Sequence, residues 1–167
     1  ISSGSSGSFP GYKMEILVGD TIYFDANDGI TGYELWAHDT SNSSTWIVAD
    51  INSGSSSTPG RYMQILVGDT IYFDAFELSN GRELWAHDTS NSSTWMVADI
   101  RSGSSSSCPG FYMEILVGDT IYFSATDESN GPELWAHDTS NSSTWMSADI
   151  SSGSTSIRPG SYTDILV

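Results

Sequence analysis

The residues with the clearest potential for chemistry are three histidines, each of which directly precedes an aspartate. They lie in the string ELWAHDTSNSSTW, which occurs three times in the chain, and they are His38, His87 and His137. A His–Asp pair could serve in acid–base catalysis or bind a metal ion. A catalytic site is an asymmetric constellation, however, whereas every copy here offers the same side chains without a nucleophile elbow. The sequence therefore favours strand histidines with a packing or surface role, in a protein that is not an enzyme.

Acidic side chains form a second candidate site, in the segment DANDGITGYE at Asp25–Glu34. Oxygen-bearing side chains at short intervals around a glycine are typical of calcium loops. The spacing is not that of an EF-hand, and the later copies, DAFELSNGRE and SATDESNGPE, lose part of the pattern. Asx turns are the favoured interpretation. No cofactor is predicted, and calcium is the one cation left open.

The six tryptophans could pack between sheets or stack on sugars. Trp46, Trp95 and Trp145 lie in the middle of predicted strands that are apolar on both faces, so we expect them to be mostly buried. Shallow sugar sites on repeated units would gain affinity through avidity, and a glycan-binding protein therefore remains the alternative. The favoured prediction places all six in the core between repeats: Trp36, Trp46, Trp85, Trp95, Trp135 and Trp145.

One further motif is the sequon NSS, which recurs at the same predicted turn in each repeat. It begins at Asn42, Asn91 and Asn141. Such turns are exposed, so these asparagines are candidate glycosylation sites. The same residues are equally suited to forming the turn itself, and both interpretations stay open.

The charge of the chain limits its partners. Against 21 acidic residues stand five basic ones, which gives a formal net charge of −16. Nucleic acid and anionic membrane surfaces both require clustered Lys and Arg, so neither is expected. No apolar run approaches the roughly 18–20 residues of a membrane span, and no membrane insertion is predicted. The scarcity of lysine, together with abundant Ser, Thr and Gly, favours an extracellular or cell-surface protein.

A repeat of about 50 residues organises the whole chain. Trp36, Trp85 and Trp135 are 49 and then 50 residues apart. Cys108 is the single cysteine and has no counterpart in the other copies, so we expect an incidental exposed thiol. The predicted organisation is a serine-rich leading loop (1–13), three units with their connecting loops (14–62, 63–112 and 113–162), and one spare first strand (163–167).

Each unit is predicted to contain four antiparallel strands. In the first unit Met14–Val18 and Thr21–Ala26 flank Gly19-Asp20, which suits a type II′ hairpin turn. Glu34–Asp39 and Thr45–Ile51 follow, joined by the polar turn TSNSS.

Both faces of each predicted sheet are apolar. Ile22 and Phe24 point to one face and Tyr23 to the other, while Trp46 alternates with Ile47 and Ala49. A sheet of this kind must be covered on both sides. Four strands per repeat of about 50 residues then predict an all-β fold of β-propeller blades.

The segment NDGITGYELWAHDTSNSSTWIVADINSGSSS resembles the bacterial ELWxxDGT repeat, and the resemblance extends over all three units. Thr40 and Ser44 stand where the motif has glycines, and the Asp-Gly of the preceding loop is replaced in the later units. The family implies large secreted or cell-surface proteins with propeller-like arrays and no established enzymatic activity. The matching positions in the first unit are Asp28, Gly29, Gly32, Glu34, Leu35, Trp36, Asp39, Thr45, Val48, Asp50, Ile51 and Gly54.

The number of units predicts self-association. Propellers typically close with about four to eight blades, whereas this chain carries three, which would leave an apolar face bare at each end. The expected partners are other copies of the chain, in a closed ring or in a filament. The favoured function is a structural or adhesive scaffold, with a multivalent glycan-binding propeller as the alternative.

Overall fold

A computed structural model describes residues 1–2 and 6–150 of the 167-residue chain. In this part the chain forms strands and no helix, and the strands form three four-stranded antiparallel sheets in which each strand pairs with the next along the chain. The first sheet contains β1 (Glu15–Val18), β2 (Thr21–Asn27), β3 (Tyr33–Asp39) and β4 (Ser44–Ala49). The second contains β5 (Gln64–Val67), β6 (Thr70–Glu77), β7 (Gly81–Asp88) and β8 (Ser93–Ala98). The third contains β9 (Glu114–Val117), β10 (Thr120–Thr126), β11 (Pro132–Asp138) and β12 (Ser143–Ala148).

The first hairpin of each sheet turns at a glycine. Gly19 has a φ of 58°, and its counterparts Gly68 and Gly118 have φ values of 58° and 62°. The following Asp20 has a negative φ, as the predicted type II′ turn requires. The absence of a Cβ makes the positive φ accessible at little cost, so the turn fixes the register of β1 on β2.

Each sheet has two apolar faces, which we name after one residue on each. Because cross-strand partners share a face, Ile16, Tyr23 and Ala37 lie on one side of the first sheet. This side is the Tyr face. Ile22 and His38 are paired on the opposite side, the His face, and the second and third sheets repeat the arrangement.

The sheets stack in chain order through unlike faces. The contact between the first and second sheets is the first junction. One side of it is formed by three residues on the Tyr face of the first sheet, Met14, Tyr23 and Leu35. They pack against Ile71 and Phe73, which belong to the His face of the second sheet. The second junction repeats this packing with Met63, Tyr72 and Leu84 against Ile121 and Phe123. Most of the core therefore lies between sheets, as the two apolar faces predicted.

A β-bulge in the last hairpin of each sheet was not predicted. In the first sheet, Trp36 pairs with Ile47 while the preceding Leu35 pairs with Ala49, so one residue of β4 is skipped. The skip places Ala49 on the Tyr face, with Leu35. The prediction that Ile47 and Ala49 share a face is therefore wrong, because simple alternation fails at the bulge.

The all-β prediction is confirmed, with three sheets of four strands at the predicted repeat. Within residues 1–2 and 6–150 the sheets stack in a row and do not close into a ring. The spare first strand predicted at 163–167 lies outside the described residues. Nor does the described part contain any helix long and apolar enough to cross a membrane.

Candidate functional site

A buried glutamate fastens each connecting loop to its sheet. Glu34 is fully buried, and its carboxylate accepts hydrogen bonds from the Ser57 amide at 2.8 Å, the Ser57 hydroxyl at 2.6 Å and the Ile51 amide at 2.8 Å. Glu83 makes the same three bonds with Ser107 and Ile100. The Glu of the repeated ELW string is therefore a structural clamp between β3 or β7 and the loop that leads to the next sheet.

Burial changes the proton affinity of these clamps. Desolvation raises the pKa of Glu83 to about 7, against the lowering effect of its hydrogen bonds to Ser107 and Ile100. Burial also raises the pKa of Glu34 and Asp25. The buried His87 and His137 show the opposite effect, because desolvation lowers their pKa values.

Glu83 should therefore make the folded state sensitive to pH. Because the folded pKa is raised, its contribution to stability is complete below the unfolded value of about 4.5 and is lost as the pH rises through about 7. We expect the difference in unfolding free energy between wild type and Glu83→Gln to fall by on the order of 2–3 kcal/mol between pH 5 and pH 8. Urea unfolding of both proteins at several pH values measures this difference.

The comparison with Glu83→Gln isolates one group, because the opposing contribution of the buried histidines is present in both proteins. Ser53→Gln, a substitution at an exposed loop residue, is the matched control and should leave the wild-type pH profile unchanged. A difference that stays constant from pH 5 to pH 8 would show that Glu83 has the same pKa in the folded and unfolded states.

A second buried acid organises the start of the second sheet. One carboxylate oxygen of Asp74 accepts hydrogen bonds from the amides of Tyr62 and Met63, at 2.8 and 3.0 Å. The other oxygen pairs with the Arg82 guanidinium at 2.6 Å. Arg82 also donates to the Ser57 and Thr58 carbonyls at 3.1 and 3.0 Å. This ion pair is almost completely buried and ties β7 to the loop that precedes β5.

Neither of the other two sheets has this ion pair. In the first sheet Asp25 repeats the two amide bonds, but Tyr33 stands where the second has Arg82, and Asp25 Oδ2 is buried without a described partner. In the third, Ser124 and Pro132 replace the acid and the arginine. A cavity of about 250 Å³ remains there, lined by residues that include Ser124, Pro132 and Cys108. Cys108 is half-buried, so the prediction of an exposed thiol is wrong.

The histidines of the repeated string lie at the junctions between sheets. The ring of His87 lies 5.2 Å from the ring of Tyr23 on the first sheet, and its Nδ1 is 2.8 Å from the Thr94 hydroxyl. His137 makes the same contacts with Tyr72 and Thr144. Both histidines are 1% exposed, so they are packing residues at the junctions, which the sequence analysis favoured.

Within residues 1–2 and 6–150, no other sheet covers the Tyr face of the third sheet. Ile115, Val117 and Ile150 are 46%, 57% and 53% exposed, although the counterpart of Ile150 in the second unit, Ile100, is only 8% exposed. Ile65 and Val67, the counterparts of the other two, pack against the core of the second junction. The third sheet therefore presents to solvent the apolar residues that the preceding sheets bury.

The His face of the first sheet is open to a smaller degree. Ile22 is half-buried, whereas its counterparts Ile71 and Ile121 are completely buried at the junctions. An open hollow of about 260 Å³ lies beside Ile22 and Phe24, and His38 and Pro10 also line it. The first sheet thus presents the other half of a sheet-to-sheet junction.

The tryptophans divide into two sets. Trp85 and Trp135 pack against the two junction cores, and Trp36 is half-buried. The indole N–H groups of these three are buried without a described hydrogen-bond partner. The second set, which the sequence analysis placed in the core, is 40% exposed in every copy: Trp46, Trp95 and Trp145.

The prediction that Trp46, Trp95 and Trp145 are mostly buried is therefore wrong. They lie on the last strand of each sheet, which is an edge strand. Trp46 and Trp95 belong to the two faces covered by the next sheet, yet both are as exposed as Trp145 on the open face. The neighbouring sheet therefore does not cover these indoles at the outer edge.

The acidic loop of the first unit forms Asx turns. Asp28 Oδ1 accepts hydrogen bonds from the Ile30 and Thr31 amides, both at 2.8 Å, and from the Thr31 hydroxyl at 3.0 Å. These bonds lower the pKa of Asp28. Among the described residues, no three His, Cys, Asp or Glu side chains approach closely enough to hold a metal ion. Calcium binding remains a prediction.

The sequon asparagines lie on exposed turns, and their side chains shape those turns. Asn42 Nδ2 donates to Asp39 at 2.7 Å, and Asn42 Oδ1 accepts from the Ser44 amide at 2.9 Å. Asn91 and Asn141 make equivalent bonds. The turn chemistry anticipated for the sequons is present, and glycosylation of these exposed residues remains a prediction.

No protein-family model matches the chain, and the comparison with curated proteins gives no match either. The candidate sites are thus defined by geometry alone. They are the Tyr face of the third sheet, the His face of the first sheet, and the exposed tryptophans on the edge strands. Sequence reasoning missed the buried Glu clamps. No sequence signal marks these glutamates as buried, because the partly exposed Asp39, Asp88 and Asp138 of the same string are equally invariant.

Proposed function

We propose that this protein is a non-catalytic scaffold that self-associates through its repeated sheets, with a structural or adhesive role outside the cell. The assembly is a β-propeller closed by more than one copy, or a filament in which the stacking of sheets continues from chain to chain. Its partners are other copies of the same chain.

One observation carries the proposal. The two junctions inside the chain bring unlike faces together through equivalent residues, and in the described part of the chain each end sheet carries one face, of opposite kind, that no other sheet covers. Exposed apolar surface of this sort marks an association site. A stack of such units buries its apolar faces only when another unit is added, which is the behaviour of repeat architectures.

Composition and resemblance support the proposed setting. The net charge of −16 makes copies repel one another at low salt, and salt weakens this repulsion, which suits association in an ionic extracellular medium. The resemblance of the repeats to the ELWxxDGT pattern also favours a secreted or cell-surface protein.

Electron microscopy of the purified chain at micromolar concentration and about 150 mM salt tests the scaffold. We expect discrete rings or fibres. A field with no particle larger than a single chain of 18.0 kDa would contradict the scaffold function.

A second candidate function is glycan binding, and the edge tryptophans favour it. Trp46, Trp95 and Trp145 repeat at the same edge position, and each is 40% exposed. An exposed indole offers a flat apolar surface for a sugar ring, and three weak sites on one chain would act together. Titration with oligosaccharides, followed by tryptophan fluorescence, tests this candidate. Spectra that do not change for wild type, at the same time as assembly is observed, would exclude it.

A further inference from the structure

We infer that the open Tyr face of the third sheet docks on the open His face of the first sheet of a second copy, head to tail. The inference rests on the proposed self-association and names the surfaces that carry it. Its occupant is a second copy of this chain, and the contact reproduces the junctions that the chain already contains.

The internal junctions provide the template. In both, a Met, a Tyr and a Leu from one sheet cover an Ile and a Phe from the next, as Met63, Tyr72 and Leu84 cover Ile121 and Phe123. The same contact types recur at the first junction, although the pair of sheets is different. The contact is therefore a property of the two faces and requires no residue unique to one junction.

The unmatched faces carry the residue types of the template. The third sheet offers Met113, Tyr122 and Leu134 at the positions of Met63, Tyr72 and Leu84. The first sheet carries Ile22, which is half-buried, and Phe24, which is 7% exposed, at the positions of Ile121 and Phe123. Two copies contain four such junctions within their chains, and docking would thus add a fifth of the same composition.

Ring contacts give the proposed junction a defined register. Tyr23 contacts His87 and Tyr72 contacts His137 in a tilted geometry, in both cases with ring centroids 5.2 Å apart. The remaining members of the series are Tyr122 on the third sheet and His38 on the first. His38 lines the open hollow of the His face, and docking places the ring of Tyr122 in that hollow.

The template also decides between two symmetries. Pairing Tyr face with Tyr face would form an isologous dimer, but neither internal junction brings two Tyr faces together. A Tyr face on a His face is heterologous, so each docked pair still has one open face of each kind. Such contacts continue until a ring closes or a filament grows.

Two single substitutions test the docking. Ile115→Asp places a charge on the Tyr face of the third sheet, and Leu17→Asp places one beside Ile22 on the His face of the first. Leu17 is 63% and Ile115 46% exposed within one chain, so the variants should fold like wild type. Ser53→Asp adds the same charge at an exposed loop residue and is the control. Sedimentation velocity at micromolar concentration and about 150 mM salt gives the mass, and circular dichroism gives the fold.

We expect wild type and Ser53→Asp to associate and each face variant alone to sediment as a monomer, with a loss of association of at least tenfold. An equimolar mixture of the two variants should form a heterodimer, because each supplies the face that the other lacks. Persistence of wild-type association in both variants would overturn the docking but leave the proposed self-association in place. A Leu17→Asp protein that still dimerises while Ile115→Asp does not would indicate the isologous contact and also overturn it.

Failure of the proposed function itself has a different signature. Wild type would then sediment at 18.0 kDa under all conditions. If, in addition, Ile115→Asp lowered the melting temperature of that monomer markedly, the Tyr face would be covered by other residues of the same chain. Either result would overturn docking on a second copy.

Discussion

Replacement of Arg82 by alanine is expected to lower the free energy of unfolding by about 3–5 kcal/mol, because it leaves the buried Asp74 carboxylate without its partner. The loss includes the guanidinium bonds to the Ser57 and Thr58 carbonyls, which connect β7 to the loop that precedes β5. Chemical denaturation at neutral pH measures the change.

The third unit suggests the matched control. It carries Ser124 and Pro132 in place of the acid and the arginine, and it forms the same four-stranded sheet. The double variant Asp74→Ser, Arg82→Ala removes both charges and should be more stable than Arg82→Ala alone by more than about 1 kcal/mol. Additive costs for the two single substitutions would show that the residues do not interact.

Replacement of Ile71 by alanine is expected to cost about 2–5 kcal/mol, since this residue is completely buried between the first and second sheets. The equivalent substitution at Ile22, on the open His face, should cost less than half as much in the monomer. Both experiments are best carried out in the Ile115→Asp background, which keeps the His face of the first sheet open.

The two isoleucines form a matched pair, because they share residue type, strand position and cross-strand partner type. Equal costs in the monomer would mean that Ile22 is packed as tightly as Ile71 and that the first sheet has no open face. In the associated wild type, we expect the cost of the substitution at Ile22 to rise toward that at Ile71.

The strands and their order were predictable because strong local signals agree. Gly19 fixes a tight turn, and alternation assigns Ile22 and Tyr23 to opposite faces. The bulge between Leu35 and Trp36 was not predictable, because it depends on hydrogen bonding between strands that leaves no trace in the pattern of side chains. The exposure of Trp46 was missed for a similar reason. It depends on how far the neighbouring sheet extends over the edge strand, and the sequence does not indicate this.

The candidate site was only partly predictable. Two apolar faces and too few units indicated self-association, and the His of each repeat was expected to pack. The sequence could not indicate that the ring of His87 would contact that of Tyr23, because that contact joins residues of different units across a junction. Nor could it indicate that Glu83 and Asp74 would be buried, since acids are rarely fully buried without partners and the partners lie on separate loops.

The mass of the native particle tests the central claim most directly. Native mass spectrometry of the wild-type chain at micromolar concentration should give integral multiples of 18.0 kDa. Two copies would form the smallest ring, which has six sheets, and larger numbers of copies would form a filament. A well-folded species of 18.0 kDa alone, at every concentration and salt condition tested, would contradict self-association through the open faces.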